Sequence, residues 1–380
     1  MDDDRPRRYV KVDRAYWAGY SNLQHGKHEL IRHYLGGWFA KLGSWAGRVV
    51  YVDTHAGRGR HASGELGSPL VALNTLLKHP HRDRLLKKSE FVFWFIERDE
   101  QHLAALRGEL EALGQLPEQV RTVAQAGNCF DPLQKVLESL REHGSRMPPA
   151  FIFLDPYGFK LPGSLLRDLM KAGRVELLVT FMWRYVNMAI AQAKEKTQSG
   201  VKFAETLDDL FESAAWRSRI VSDEPADRAK QAAELLRERI GARWFTNLSM
   251  LGENEATQYL LLHFTNHDAG RDLMKSCVRR IVPHGSGRVR KREDPRQGVL
   301  IAPEPDLGPL RSWACQRVSE SPCHWSELGR LLRAEDWLES DLWEVLKQLV
   351  DEGRISCEGN FSRRADPTFR LNSLSGEGQG

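Results

Sequence analysis

The run Phe151-Ile152-Phe153-Leu154 breaks off at Asp155-Pro156-Tyr157-Gly158-Phe159, and this junction constrains the fold more than any other stretch. Four apolar, β-prone residues in succession read as a strand buried on both faces, as in a parallel sheet. Proline cannot continue the ladder, so the chain leaves the sheet at Asp155. Open α/β sheets bind ligands at the carboxyl ends of their strands, which puts a carboxylate and an aromatic ring where a ligand belongs. The plainer reading is a tight turn after a core strand, because Asp-Pro and Gly are ordinary turn residues.

The rest of the chain repeats the pattern. Residues 13–45 carry His28, Ile31, Tyr34, Leu35 and Trp38 at helical spacing. Residues 48–53 form a first buried strand, followed by a Gly-, His- and Ser-rich loop over 54–67. A helix over 68–77 is expected to start with Ser68 as N-cap and Pro69 at its first position. Strands follow at 91–96, 120–124 and 175–181, with helices over 101–113, 132–143 and 163–172 between them. Such alternation predicts βαβ units and a doubly wound sheet. A polar, helical insertion is expected near 187–241, then a late strand at 258–265 and a helix over 268–280. Residues 1–45 are thus an amino-terminal helical region, 46–282 an α/β domain and 283–309 a linker. Residues 310–380 form a separate module in which helices precede a short hairpin, the winged-helix pattern. Such modules bind DNA, and many bind proteins.

Composition narrows the class. A hydrophobic fraction of 41% with 28% charged residues is that of a soluble globular protein. No apolar run approaches a membrane span, and Met1-Asp2-Asp3-Asp4-Arg5 is no signal peptide, so no membrane partner and a cytoplasmic location are expected. The five cysteines include no CxxC pair, so neither a zinc ribbon nor a disulfide framework is expected, and no metal site. The net charge of +4 does not mark a nucleic-acid binder by itself. Local clusters say more: Arg5, Arg7, Arg8, Lys11 and Arg14 at the start, and Arg279, Arg280, Arg288, Arg290, Lys291 and Arg292 later. These are candidate phosphate contacts or solvated faces.

Four strand ends line up as a nucleotide site. Strand one ends at Asp53, followed by Ala56, Gly57 and Gly59; strand two ends at Glu97; strand three is followed by Asn128; strand four ends at Asp155. A carboxylate after strand two supplies the acceptor pair that ribose hydroxyls need. Glycines let the backbone approach a ligand closely. The full G-x-G-x-x-G is absent, which argues against a dinucleotide and for the looser loop of S-adenosylmethionine (SAM) proteins. Asp-Pro-aromatic loops occur in methyltransferases that act on exocyclic base amines, where the carboxylate accepts from the amine and the ring stacks on the base. Arg184, flanked by Trp183 and Tyr185 after the strand at 175–181, offers stacking and a phosphate contact at the same edge.

Several of these pieces resemble the three-Cys-motif partner proteins, a prokaryotic family with a Rossmann methyltransferase-like fold. They are His25-Gly26-Lys27-His28, Tyr51-Val52-Asp53-Thr54-His55-Ala56-Gly57, Gly67-Ser68-Pro69-Leu70, Phe95-Ile96-Glu97, Leu154-Asp155-Pro156-Tyr157-Gly158 and His263-Phe264-Thr265-Asn266-His267. The likeness covers about residues 20–280. The family's loop usually carries a proline where this chain has Arg58. The resemblance implies a methyltransferase-like fold, a partner carrying the three-Cys motif, and Lys27 near the nucleotide pocket.

The reading is therefore an α/β, Rossmann-like SAM-methyltransferase fold with a helical insertion and a carboxyl-terminal winged-helix-like domain. The expected function is SAM-dependent methylation of nucleic acid, DNA or RNA, at an exocyclic amine, with Asp155, Pro156 and Tyr157 as catalytic residues. Lys27, Asp53, Ala56, Gly57, Gly59, Glu97, Asn128 and Asp155 are the expected cofactor contacts; Arg184, Arg288, Arg290 and Lys291 are the expected nucleic-acid contacts. The alternative is a non-catalytic methyltransferase-like partner that docks DNA or a three-Cys-motif protein.

Overall fold

The computed structural model describes residues 17–283, 287–291 and 305–372. They fall into two compact units, the first reaching Ile281 and taking back the segment from Gly287. The basic residues Arg5, Arg7, Arg8, Lys11, Arg14 and Arg292 lie outside the described residues, as does the expected helix start at residue 13.

The first unit opens with α1 (Asn22–Leu42). Ser21 starts it with a reciprocal cap: its Oγ accepts from the Gln24 N–H at 3.3 Å, and its own N–H donates to Gln24 Oε1 at 2.8 Å. Then follow β1 (Arg48–Asp53), α2 (Ser68–Leu77), α3 (Arg82–Leu86), β2 (Glu90–Glu97), α4 (Glu100–Glu111), β3 (Val120–Ala126), α5 (Asp131–Glu142), β4 (Met147–Leu154), α6 (Gly163–Lys171) and β5 (Gly173–Phe181). After β5 come α7 (Trp183–Gln192), α8 (Gln198–Leu210), α9 (Trp216–Arg219) and α10 (Pro225–Ile240), then β6 (Trp244–Leu251), β7 (Thr257–Thr265), α11 (Asp268–Ile281) and β8 (Arg288–Arg290).

The sheet order is β3-β2-β1-β4-β5-β7-β6-β8. Strands β1 to β5 run parallel. Strand β7 is antiparallel to both neighbours, β5 and β6. A doubly wound sheet in this order, with a reversed seventh strand slipped between the fifth and sixth, is the Rossmann-like methyltransferase sheet. The expected α/β fold of this unit is the observed one. The core sits on both sheet faces: Val50, Val52, Ile152, Leu154, Leu177 and Val179 belong to one continuous cluster with Leu133, Leu166, Leu207 and Leu236. On the other face Phe39 of α1 meets Phe91 and Phe93 edge-on at 5.5 and 5.9 Å. Each such buried side chain contributes about 1.5–3 kcal/mol.

Four points differ from the sequence reading. The amino-terminal helix is part of the α/β unit, packed against α2 and α11. Strand β6 was not expected, because its Trp-Phe-Thr-Asn-Leu-Ser-Met-Leu run is half polar; it is half buried, inward at every second residue, Thr246, Leu248 and Met250. The expected linker over 283–309 holds β8, which pairs in parallel with β6 through Arg288 to Arg290. Finally, Gly67 rather than Ser68 occupies the N-cap of α2, so Ser68 lies inside the helix. The stretch expected as a helical insertion holds α7 to α10, and Phe203 of α8 stacks on Phe159 of the loop after β4 at 6.2 Å.

The second unit contains α12 (Gly308–Glu320), β9 (Cys323–His324), α13 (Trp325–Leu332), α14 (Glu339–Asp351), β10 (Ile355–Glu358) and β11 (Thr368–Leu371). Its strands form an antiparallel sheet in the order β10-β11-β9. Leu310, Val318, Leu328, Leu346, Leu349 and Phe369 share one core. Asp366, in the left-handed region at φ 49°, accepts from the Ser326 N–H at 2.6 Å and so caps α13.

Candidate active site at the strand switch point

The chain order reverses between β1 and β4, and the crevice outside such a reversal is where open α/β sheets hold ligands. Asp53 ends β1 opposite Phe153, and the Thr54 N–H donates to the Phe153 carbonyl at 3.0 Å, so the two strand ends are level. Asp155 follows at once on β4. The crevice is thus flanked by two carboxylates from neighbouring strands.

Their environments differ. Asp53 is fully buried. Burial pushes its carboxyl up to about 7, against the Ser68 hydroxyl, which favours the charged form; nearby Asp155 raises it further, and the His55 N–H at 3.2 Å opposes the rise. For Asp155 burial also favours the neutral acid, but Lys27 outweighs it and holds the group below its usual range. Lys27 Nζ lies 2.5 Å from Asp155 Oδ2, with the lysine side chain 5% and the aspartate 18% exposed. The same ammonium stands 5.8 Å from the centre of the Phe153 ring. Burial drives His55 down to about 4, so it is neutral at pH 7.

The loop after β1 is fixed by β2. The Ala56 N–H donates to the Ile96 carbonyl at 3.0 Å. The Gly57 N–H donates to Glu97 Oε2 at 2.8 Å, and the Asp99 N–H to Glu97 Oε1 at 2.7 Å. A carboxylate has about four lone-pair directions, so each Glu97 oxygen keeps one free. Gly57 sits at φ +63° and a Cβ there would collide with the Trp17 ring; Gly59 sits at φ +83°. Both positions need glycine.

The structure gathers most expected residues at one edge: Lys27, Asp53, Ala56, Gly57, Glu97 and Asp155. Asn128 is exposed just beyond β3, its amide donating to Asp131 Oδ1 at 3.4 Å. Pro156 is buried and Tyr157 is 45% exposed. Arg184 and Tyr185 are exposed in the first turn of α7. Arg288, Arg290 and Lys291 lie on and beside edge strand β8. There Arg290 Nε bonds Glu255 at 2.6 Å and Lys291 Nζ bonds Glu253 at 3.1 Å, so both charges have local partners.

Sequence reasoning missed two features. One is Thr180 at the end of β5, beside Asp155. The other is a buried acid, Glu176, which accepts from the Tyr34 hydroxyl, from Trp38 Nε1 at 3.1 Å and pairs with His263 Nε2 at 2.9 Å. A lone Glu within the apolar run Val175-Glu176-Leu177-Leu178 and a lone His within Leu261-Leu262-His263-Phe264 were the available signals.

No protein-family profile matches the chain, and no curated protein does. Among solved structures it is similar to Trm1 from Pyrococcus horikoshii in complex with S-adenosyl-L-methionine, at 11% identity and a TM-score of 0.40, over 94% of this chain and 92% of that one. An O-methyltransferase from Bacillus cereus in complex with SAH matches at 12% identity and a TM-score of 0.32, over 70% and 92%. A putative caffeoyl-CoA O-methyltransferase from Staphylococcus aureus matches at 10% identity and 0.30, over 61% and 82%. The fold assignment stands on the strand order, independently of these likenesses.

Proposed function

We propose that this protein is a SAM-dependent methyltransferase acting on nucleic acid at an exocyclic base amine. The observation that carries the reading is the ionised Asp155, held by Lys27 at the switch-point crevice beside the exposed Tyr157 ring. The residues present fit SAM. The free lone pairs of Glu97 suit ribose hydroxyls, and Asp53 suits the methionine end; the glycines fit by shaping the loop, since Trp17 and Leu106 fill the space a side chain would take at Gly57 and Gly59. When bound, SAM supplies a methyl group already activated by its sulfonium, so the protein needs no strong base. Asp155 would orient the amine by accepting an N–H, and Tyr157 would stack on the base. Orientation supplies most of the rate in such a site.

The carboxyl-terminal unit runs helix, strand, helix, helix and two strands, which supports its reading as a winged-helix module. Pairing with a three-Cys-motif protein belongs to the same proposal and rests on the resemblance alone.

The test is transfer of tritium from labelled SAM to total nucleic acid, followed by separate DNase and RNase treatment. Label in the wild type that is lost in Asp155→Ala, with SAM affinity nearly intact, supports the reading. Tight SAM binding with no label in either protein favours the non-catalytic alternative. Equal labelling by both proteins would refute the role of Asp155.

A further inference from the structure

Thr180 is the residue of β5 next to the β4 end, one step beyond the Leu154–Val179 pair. It is 2% exposed. Its hydroxyl is near enough to Asp155 to favour the ionised carboxylate, yet its oxygen makes no well-formed hydrogen bond among the described residues. A buried hydroxyl without such a bond is uncommon and calls for an explanation. On the other side of the same carboxylate, Lys27 Nζ occupies Oδ2 at 2.5 Å. An incoming group therefore meets two acceptors, Asp155 Oδ1 and Thr180 Oγ1, next to an ammonium that already balances the aspartate charge.

That arrangement selects its ligand by chemistry. A neutral –NH2 on an aromatic ring has two N–H donors and no charge, and it can satisfy both oxygens. An alkylammonium brings a second cation beside Lys27 with no unbalanced carboxylate to receive it. The other titratable groups facing Asp155 do not alter this: His55 is neutral at pH 7, and Asp53 is close to half-protonated there. We propose that Thr180 and Lys27 set the substrate class of the site: a neutral, ring-conjugated primary amine held by two acceptors, with alkylammonium groups refused. Thr180 acts by touching the amine; Lys27 is a positioning residue that acts through Asp155. The family resemblance puts Lys27 near the cofactor, and its bond to Asp155 gives it this positioning role besides. The inference rests on the methyltransferase reading above.

The experiment uses the full-length protein. Initial rates with labelled SAM are measured on short single-stranded oligonucleotides and, in parallel, on a lysine-containing peptide. Thr180→Val removes the hydroxyl at constant shape and is expected to lower kcat at least tenfold with SAM affinity unchanged; Thr180→Ser should restore most of it. The lysine peptide should stay unlabelled. Independently of activity, 13C NMR of the Asp155 carboxyl should show it titrating below the usual range in the wild type and at least one unit higher in Lys27→Met. Lys27→Met/Asp155→Asn, which removes both charges, should keep the fold and wild-type SAM affinity if Lys27 is no cofactor contact. An active enzyme whose Thr180→Val variant matches wild type, a labelled lysine peptide, or an Asp155 titration indifferent to Lys27 would each overturn the inference. A wild type that binds SAM and labels no amine overturns the methyltransferase reading itself, together with the substrate assignment built on it; that failure shows before any variant is made.

Discussion

Asp155 and Glu176 lie under the same face of α1, yet the helix serves them differently. Lys27, Tyr34 and Trp38 are spaced i, i+7 and i+11, so they form one stripe. At one end of the stripe Lys27 meets Asp155 and leaves an oxygen facing a crevice. Further along, Tyr34 and Trp38 meet Glu176 and, with His263, use both of its oxygens. Burial opposes ionisation at Glu176, but His263, Tyr34 and Trp38 overcome it. A buried acid whose two oxygens both meet donors of its own fold holds elements together; a buried acid with a spare oxygen at a strand end is available for chemistry. The contrast predicts that changes at Glu176 act on stability and changes at the crevice act on binding.

The largest expected effect comes from Glu176→Ala. It strands three buried donors and should destabilise the protein by about 3–5 kcal/mol, read as a lower denaturant midpoint at unchanged slope. A loss below about 1 kcal/mol would break the contrast.

Next is a pH effect at the crevice. Asp53 sits at about 7 when folded against 3.8 when unfolded. The folded state therefore holds a proton that the unfolded state has released. The resulting stabilisation is fully present below about pH 4 and disappears as pH rises through 7, by at most roughly 4 kcal/mol. Asp155 and Glu176 are shifted the other way, so their contributions are lost only as pH falls below the usual carboxylate range. His55, held near 4 when folded, and buried His28 act in the opposite sense between pH 4 and 6.5, because there the unfolded state binds the extra proton, so the Asp53 contribution is read as a difference between two proteins. Urea melts from pH 4 to 7 should show the stability of the wild type falling relative to that of Asp53→Asn as pH rises; parallel profiles would remove the assigned shift.

Glu97→Ala should weaken SAM binding tenfold or more, corresponding to about 1.5–3 kcal/mol for a charge-assisted acceptor, as measured by calorimetric titration. The smallest effect is expected for Tyr34→Phe. It removes one donor to Glu176 at nearly constant shape and should cost about 1.5 kcal/mol of stability with SAM affinity untouched. A change in SAM affinity would mean that the two acid clusters are coupled.

The strand ends that build the crevice were legible because apolar runs stop at Asp53, Glu97 and Asp155, and the chemistry of each stop is local. Strand β6 was not, because its Asn247 and Ser249 lie on the exposed side of an alternating pattern and dilute the apolar signal. Strand β8 was hidden by its charges: Arg288 and Arg290 flank a single inward Val289, whose methyl lies 3.3 Å from where a Cβ on Gly26 would stand. The partners of Lys27 and Glu176 were beyond reach for another reason. They are set by how α1 crosses the sheet, and no periodicity within a segment records that crossing. Thr180 escaped notice because a threonine inside a strand is ordinary; only its neighbours make it informative.

The stripe on α1 also has a consequence in time. Lys27 bonds a residue 128 positions downstream, and Tyr34 one 142 positions downstream. His263, the last member of the Glu176 cluster, comes later still. During synthesis at roughly 5–20 residues per second, tens of seconds separate the emergence of α1 from that of its final partner. Until Asp155 and Glu176 are made, the helix has its own cap but a lysine, a tyrosine and a tryptophan with no acids to meet. A helix made early is thus locked late, which leaves α1 open to a chaperone or a rival partner while the strands that carry its acids are still being made.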